Sequence, residues 1–159
     1  MTDDRVTVHL LDLPVPLAAG ARQWFEELLR EFALIHAGAA DHARTEVPSR
    51  LTEMVDSLVT RYAGINDLAQ ERLEAAIDRG DAVIADHVLE VPREAAAASA
   101  ALDAMMDEAD EFCRQGKHLL TLTEPHAVQV YRRWYLEQVV SQVSGEAPVP
   151  WSEYLASTA

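Results

Sequence analysis

A short pattern of strand, proline and helix occurs twice in this chain, 78 residues apart. Residues 9–14 read HLLDLP and residues 87–92 read HVLEVP, and an alanine-containing helix pattern follows each of them. Pro48 and Pro125 then open two further helix patterns at an offset of 77 residues. Two matches at nearly one offset predict a duplicated strand–helix–helix unit, whose two halves share one core.

The length of the chain and the two repeats together predict a single domain. A chain of 159 residues is long enough to bury a hydrophobic core of its own. We expect one globular domain over residues 1–145, with pseudo-repeats at about 5–64 and 83–143 and a linker helix at 67–79. Residues 146–159 are rich in proline and aromatic residues, and we expect them to form a C-terminal tail.

The spacing of apolar residues predicts an α+β fold that is mostly helical, with about five helices and a small sheet of two or three strands. Strand patterns cover residues 5–13 and 83–91, and Leu119–Leu122 forms either a third strand or a packed connection. A pseudo-twofold axis between the halves would pair the strands antiparallel, whereas a βαβ connection would pair them parallel. The helical patterns cover residues 17–37, 48–63, 67–79 and 124–143 and the stretch between Pro92 and Gly116.

The formal net charge of −14 restricts the partners of this chain. Such an acidic surface repels the phosphates of nucleic acids and of anionic membranes, so we expect neither as a partner. A basic or mixed protein surface is an easier partner, and an acidic surface that serves solubility alone is an equally open alternative. The chain has no uncharged apolar run near the roughly 20 residues that span a bilayer, and no signal sequence follows Met1. We therefore expect a cytoplasmic protein, in which the single Cys113 is a small buried hydrophobic residue.

The motifs that carry catalysis or metal binding are missing from the sequence. It contains no HExxH, no ExxH, no GxSxG and no glycine-rich phosphate loop. His36, Asp41 and His42 lie near one loop, and residues 103–111 form an acidic helix face, but solvated side chains account for both groups. We predict no catalytic residue, no metal ion and no cofactor, and hence a protein that is not an enzyme.

His9 and His87 occupy matching positions of the two predicted repeats. In alternating strands they share a face with Leu11 and Leu89, which favours buried rings that have hydrogen-bond partners. A symmetric pair of histidines can also form a pH-sensitive contact, because the pKa of imidazole lies near physiological pH. Both interpretations stay open at the level of the sequence.

The one basic and aromatic stretch of this acidic chain is residues 131–135, which read YRRWY. Arginine and tryptophan are enriched at the energetic centres of protein interfaces. Alternatively, Tyr131 and Tyr135 belong to the core, and the arginines pair with nearby acids such as Glu137. Under the interface interpretation, the candidate partner contacts are Arg132, Arg133, Trp134, Trp151 and Tyr154.

The matching residues at the start of the chain are Leu11–Pro14, Ala21–Arg22 and Leu28–Leu29. With them, the chain resembles the N-terminal part of the anti-sigma-factor-type ATP-binding kinases of bacteria. Those kinases hold magnesium with a helical Asn, four residues after a Glu, and have an Asp-x-Gly-x-Gly loop. Here the only Asn is Asn66, four residues after Tyr62, and the glycine loop is missing. We therefore expect no ATPase activity of that class.

Nearly the whole chain resembles a family of small uncharacterised actinobacterial proteins. The stretches that carry this resemblance are Val8–Pro14, Leu28–Phe32, Asp107–Cys113 and Arg132–Leu136. Members of the family accompany ATP-binding anti-sigma proteins, STAS anti-anti-sigma proteins and serine phosphatases, so the resemblance implies a regulatory role by association. It carries over no catalytic residue.

Together these observations predict a non-enzymatic cytoplasmic regulator that acts through protein–protein contacts in a sigma-factor partner-switching pathway. The expected partner is an anti-sigma, STAS or phosphatase protein, and homodimerisation stays open. The alternative is a small-molecule sensor with a pocket between the two pseudo-repeats. An interaction module would expose an extended apolar patch, whereas a sensor would enclose an apolar pocket with a few inward polar groups.

Overall fold

The computed structural model describes residues 4–38, 67–115 and 125–158 of the chain. In these ranges the fold is α+β and mostly helical, with five helices and two strands, which confirms the fold class predicted from the sequence. The predicted helix at 48–63 and the apolar segment Leu119–Leu122 lie outside the described residues. The elements are β1 (Arg5–Pro14), α1 (Val15–Gly38), α2 (Asp67–Arg79), β2 (Val83–Pro92), α3 (Ala95–Gln115), α4 (His126–Val143) and α5 (Trp151–Thr158).

The two strands form one antiparallel sheet, so the sheet adopts the antiparallel one of the two pairings that the sequence left open. The register runs from Arg5 opposite Pro92 to Pro14 opposite Val83. A two-stranded sheet is marginal by itself in water. Its stability therefore depends on the helices that cover one of its faces.

The inner face of the sheet carries buried side chains from both strands. His87 and Leu89 of β2 and Leu10 of β1 are buried there, and Leu10 lies opposite His87. Asp12 then interrupts the alternation, because its φ of +56° lies in the left-handed region, which Asp tolerates better than most residues. As a result, the residue that follows, Leu13, also points into the core and is buried.

The strands preserve only part of the predicted repeat. β1 and β2 have the same length, end in proline and each precede a helix, at an offset of 78 residues. Their faces do not correspond, however, because the half-buried His9 aligns in sequence with the buried His87. The His9 Nδ1 lies 3.0 Å from an Asp86 carboxylate oxygen. Buried, hydrogen-bonded rings were the favoured one of the two interpretations left open by the sequence. Only His87 is buried, its Nδ1 has no hydrogen-bond partner, and the duplicated unit is not confirmed.

Two glycines end helices α2 and α4 in the left-handed conformation, which costs glycine little. Gly80 has a φ of +72° and Gly145 has a φ of +91°. After α2, the Gly80 N–H donates to the Ile77 C=O and the Asp81 N–H donates to the Ala76 C=O, both at 3.0 Å. This pair of bonds is a Schellman motif, and it ends α2 where the sequence predicts the end of the linker helix.

The core lies between the inner face of the sheet and the helices. Trp134 of α4 is its largest fully buried side chain. The centroid of the Trp134 indole lies 5.9 Å from that of Tyr131 and 5.5 Å from that of Trp151. These three rings, which we call the aromatic cluster, join α4 to α5. The apolar side chains of the same core include Val8, Leu10, Leu13, Val15, Ala18, Leu73, Leu89, Val91 and Val139.

The C-terminal segment, which the sequence predicts as a tail, ends in helix α5 and packs on the rest of the chain. Trp151, the first residue of α5, is 9% exposed and belongs to the core. The loop before it is held by α4, because the Trp134 indole N–H donates to the Val149 C=O at 2.8 Å. The Val149 N–H donates in turn to the Gln138 Oε1 at 2.9 Å. The segment is therefore part of the folded unit.

The Gln142 side chain serves the outer edge of β1 in place of a third strand. Its Oε1 accepts a hydrogen bond from the His9 N–H at 2.8 Å, and its Nε2 donates to the His9 C=O at 2.9 Å. The same Nε2 lies 3.1 Å from the Gln138 Oε1, and both glutamines are buried. The amide thus satisfies two backbone groups that an edge strand would leave unpaired.

Gln142→Leu removes these bonds, keeps most of the side-chain volume and leaves the His9 backbone groups unpaired. We expect the free energy of unfolding, measured by urea denaturation, to fall by about 2–4 kcal/mol. The His9 amide hydrogen should also exchange faster. Glu146→Ala, at an exposed residue of the following loop, is the control and should change stability by less than about 0.5 kcal/mol. An unchanged exchange rate at His9 would show that the Gln142 amide does not hold this edge.

Candidate functional site

A cavity of about 270 Å³ lies between the inner face of β2 and helices α1, α2, α3 and α4. Most of the described side chains that line it are apolar, namely Leu13, Ala18, Ala21, Trp24, Phe25, Ala69, Leu73, Leu89, Leu102, Met106 and Leu136. The polar side chains on its wall are Arg22, Gln70, His87, Tyr131, Arg132 and Tyr135.

Small side chains on two neighbouring helices make room for this cavity. α1 contributes Ala18 and Ala21 to its wall, and α2 contributes Ala69. Protein interiors are otherwise packed as densely as organic crystals. A leucine at any of these positions would occupy the space that the alanine methyl group leaves open. A pocket between the two halves belongs to the alternative function predicted from the sequence, but its lining residues were not predicted, and these alanines are the one signal for them in the sequence.

His87 carries the unsatisfied polar atom of the cavity wall. Among the described residues, its Nδ1 is the one buried side-chain nitrogen or oxygen without a hydrogen-bond partner. Burial lowers the pKa of His87, the nearby Arg72 cation lowers it further, and the Asp86 carboxylate opposes both effects. The imidazole is therefore neutral at physiological pH, with one nitrogen that donates and one that accepts. The Nδ1 atom itself has almost no accessible surface, so Nε2, which is not among the buried unpaired atoms, is the ring nitrogen that a ligand in the cavity can reach.

The two arginines on the cavity wall already have carboxylate partners. The Arg22 guanidinium lies 3.2 Å from a Glu74 carboxylate oxygen. The Arg132 guanidinium is buried and donates to Asp103 and, at 2.8 Å, to Asp107. None of the described residues on the wall is an Asp or a Glu. The described part of the wall therefore offers no uncompensated charge to a ligand.

Tyr131 and Tyr135 place two phenol rings at the cavity, with their centroids 6.1 Å apart. Burial raises the pKa of both hydroxyls, to about 12 for Tyr135 and further for Tyr131, where the neighbouring Tyr135 adds to the effect. Both phenols are therefore neutral at physiological pH. Their positions support the core interpretation of these two residues over the interface interpretation.

Three of the five predicted partner contacts lie inside the molecule. Trp134 has no exposed surface, Arg132 is 7% exposed, and Trp151 is 9% exposed. Helix α5, which contains Trp151, and the loop before it cover the side of α4 that carries Trp134. Arg132 is buried against α3 instead, where it bonds Asp103 and Asp107, so all three residues have structural roles. Arg133 and Tyr154 do reach solvent, with Arg133 exposed and Tyr154 partly buried.

The sequence also predicts that the chain has no metal site and no membrane-spanning helix. Within residues 4–38, 67–115 and 125–158, no group of three or more His, Cys, Asp or Glu side chains is placed to hold a metal ion. None of the helices described there combines the length and the apolar composition needed to cross a membrane. Asp41 and His42, and the side chains of His36 and Cys113, lie outside what the structure describes, so the statements about them stay predictions.

Comparison with known proteins finds no matching protein-family model, no matching curated protein and no matching solved structure. The resemblance to small uncharacterised actinobacterial proteins therefore rests on the residues quoted for it.

Proposed function

We propose that this protein is a small-molecule sensor that binds an apolar ligand in the cavity. The observation that carries the proposal is an apolar cavity of about 270 Å³ with the buried imidazole of His87 on its wall. Apolar pockets with a few polar groups are the usual form of small-molecule sites. The proposal corresponds to the second of the two functions that the sequence predicts.

The volume of the cavity limits the size of the ligand. An engineered protein cavity of about 150 Å³ holds benzene. On that scale, the cavity of about 270 Å³ holds a molecule of roughly 10–14 non-hydrogen atoms. Bicyclic aromatic compounds and medium-length aliphatic chains fall in this range.

The position of the cavity explains how binding could be sensed. Its wall combines side chains from α1 and α2 with side chains from the packed pair α3 and α4. A ligand that touches all four helices stabilises one arrangement of the pairs over others, by an amount set by its affinity for each arrangement. Ligand occupancy would then change the surfaces that these helices present to a partner.

The proposal is tested by the melting temperature of the protein in the presence of naphthalene, an apolar bicyclic probe. At about ten times its Kd, a ligand stabilises the folded state by about 1.4 kcal/mol, and we expect Tm to rise by about 3–6 °C. Ala21→Leu fills the cavity and should abolish this rise. Ala104→Leu adds the same atoms at an exposed position of α3 and should keep it. No rise in the wild-type protein, or a rise that survives Ala21→Leu, would contradict the proposal.

A protein–protein role is the second candidate, supported by the surface around Arg133 and Tyr154. Leu155, next to Tyr154, is 47% exposed, and the Arg133 side chain is also exposed. We propose that this surface, without the buried Trp134 and Trp151, contacts an anti-sigma, STAS or phosphatase protein in a cytoplasmic partner-switching pathway. The double variant Arg133→Ala with Leu155→Asp should lose co-purification of that partner, and retention of the partner would contradict this role.

A further inference from the structure

We infer that the cavity selects neutral, apolar alcohols and phenols, and that the ligand hydroxyl hydrogen-bonds the imidazole of His87. The inference rests on the proposed small-molecule-binding function and adds the chemical class of the ligand and the residue that recognises it. It follows from the buried, neutral imidazole of His87 on the cavity wall, from the balanced charges of the two arginines, and from the lack of carboxylates among the described lining residues.

The state of the imidazole determines which polar group a ligand needs. His87 is 4% exposed, lines the cavity and has an Nδ1 without a hydrogen-bond partner. A neutral imidazole carries one proton, so in either tautomer one ring nitrogen donates and the other accepts. A hydroxyl group both donates and accepts, and it can pair with the ring in either tautomer. The unpaired Nδ1 has almost no accessible surface, whereas Nε2 is not among the buried unpaired atoms, so a ligand hydroxyl in the cavity would pair with Nε2.

The charges around His87 favour this neutral state. Arg72 of α2 is close enough to lower the pKa of the ring, while Asp86, its neighbour in β2, acts in the opposite direction. Asp86 is also engaged on the outer face of the sheet, where its carboxylate lies 3.0 Å from the His9 Nδ1. The cavity wall adds the cations of Arg22 and Arg132, each with a carboxylate partner.

The same wall disfavours charged ligands of either sign. A carboxylate would have to take Arg22 from Glu74, or Arg132 from Asp107. An ammonium group would find no carboxylate among the described lining residues. The free-energy cost of moving an ion from water into an apolar site without a partner is far larger than the favourable free energy of packing its ring. A neutral molecule with one hydroxyl satisfies the imidazole without that cost.

The test compares four ligands that share one ring system, titrated calorimetrically at neutral pH. They are naphthalene, 2-naphthol, the 2-naphthoate anion and the 2-naphthylmethylammonium cation. We expect 2-naphthol to bind about 5–10-fold more tightly than naphthalene, although its hydroxyl makes it the more soluble in water. The two ions should bind at least about 10-fold more weakly than naphthalene.

Substitution of His87 then assigns the preference to its ring. In His87→Leu, a nearly isosteric apolar residue replaces an unpaired polar group, so the fold should be kept and Tm should stay equal or rise. This variant should bind naphthalene within about 3-fold of wild type and lose the preference for 2-naphthol. His87→Phe provides a second apolar replacement with the same expectation. His9→Leu, on the outer face of the sheet, is the matched control and should keep the preference.

The outcomes separate this inference from the function on which it rests. Binding of naphthalene without a preference for 2-naphthol, or a preference that survives in both His87 variants, overturns the role of His87 and leaves the ligand-binding function standing. Tightest binding of either ion overturns the neutral ligand class. Failure of all four compounds to bind overturns both the inference and the proposed function.

Discussion

Trp134→Ala is expected to lower the free energy of unfolding by about 3–5 kcal/mol, measured by urea denaturation. Trp134 has no exposed surface and forms the centre of the aromatic cluster, with the ring centroids of Tyr131 and Trp151 at 5.9 and 5.5 Å. Its removal leaves a large cavity at the junction of α4 and α5. It also leaves the Val149 C=O without the indole N–H that it accepts at 2.8 Å.

Two further variants separate the contributions to this loss. Trp134→Phe keeps an aromatic ring but loses the bond to Val149, and we expect a smaller loss of about 1–2 kcal/mol. Arg133→Ala, at the exposed neighbouring position, should cost less than about 0.5 kcal/mol. A cost for Trp134→Ala as small as that for Arg133→Ala would place the indole at a surface and restore it as a candidate partner contact.

Arg132→Met is expected to destabilise the protein by about 2–3 kcal/mol at neutral pH. The Arg132 guanidinium is buried, whereas the Asp103 and Asp107 side chains that it bridges are 34% and 42% exposed. Breaking a fully buried ion pair costs about 3–5 kcal/mol, and partial hydration of the two carboxylates recovers part of that. Arg133→Met changes the exposed neighbour and should cost less than about 0.5 kcal/mol.

The cost of Arg132→Met is also expected to depend on pH through Asp107. Burial tends to raise the pKa of Asp107, but the hydrogen bond from Arg132 and the charges of Arg132 and Arg133 outweigh it and hold the pKa below its ordinary value. Such a carboxyl stabilises the fold above its unfolded pKa of about 4, and the contribution is lost as the pH falls through the folded pKa. The stabilities of wild type and Arg132→Met should therefore converge below about pH 4. A difference that stays constant down to the folded pKa would exclude Asp107 as its source.

Helix and strand boundaries could be predicted from the sequence because local chemistry determines them. Gly80 takes the left-handed conformation that ends α2, and Gly145 does the same after α4. Pro14 and Pro92 end the two strands, since proline has no N–H for a ladder. These residues act on their immediate neighbours, so their effect can be derived without knowledge of the tertiary structure.

The surroundings of α4 could not be derived in this way. Its buried residues lie on several sides of the helix, including Trp134 and Arg132, because α1, α3, β1 and α5 all approach it. Helical periodicity predicts one buried face for each helix, and Trp134 lies off that face of α4. The sequence therefore indicated Trp134 as a candidate partner contact. Helix α5 was missed for a related reason, since Pro148 and Pro150 before it are typical of a tail.

The cavity depends on which side chains meet across the core, and one sequence does not show that. Ala18, Ala21 and Ala69 predict close helix packing as readily as open space. The difference between His9 and His87 is of the same kind. Both occupy the same position in the sequence motif, but the pairing of the strands places one ring outside and the other at the cavity. The site therefore emerges only from the assembled structure.

The most direct test of the ligand-binding cavity is the set of intermolecular nuclear Overhauser effects between naphthalene and the methyl groups of the protein. A ligand inside the cavity should give contacts to the methyl groups of Ala18, Leu89 and Met106, which line its wall. Contacts confined to exposed methyl groups such as those of Leu68 and Leu155 would place the ligand on the surface. That result would contradict the account of this protein as a small-molecule sensor.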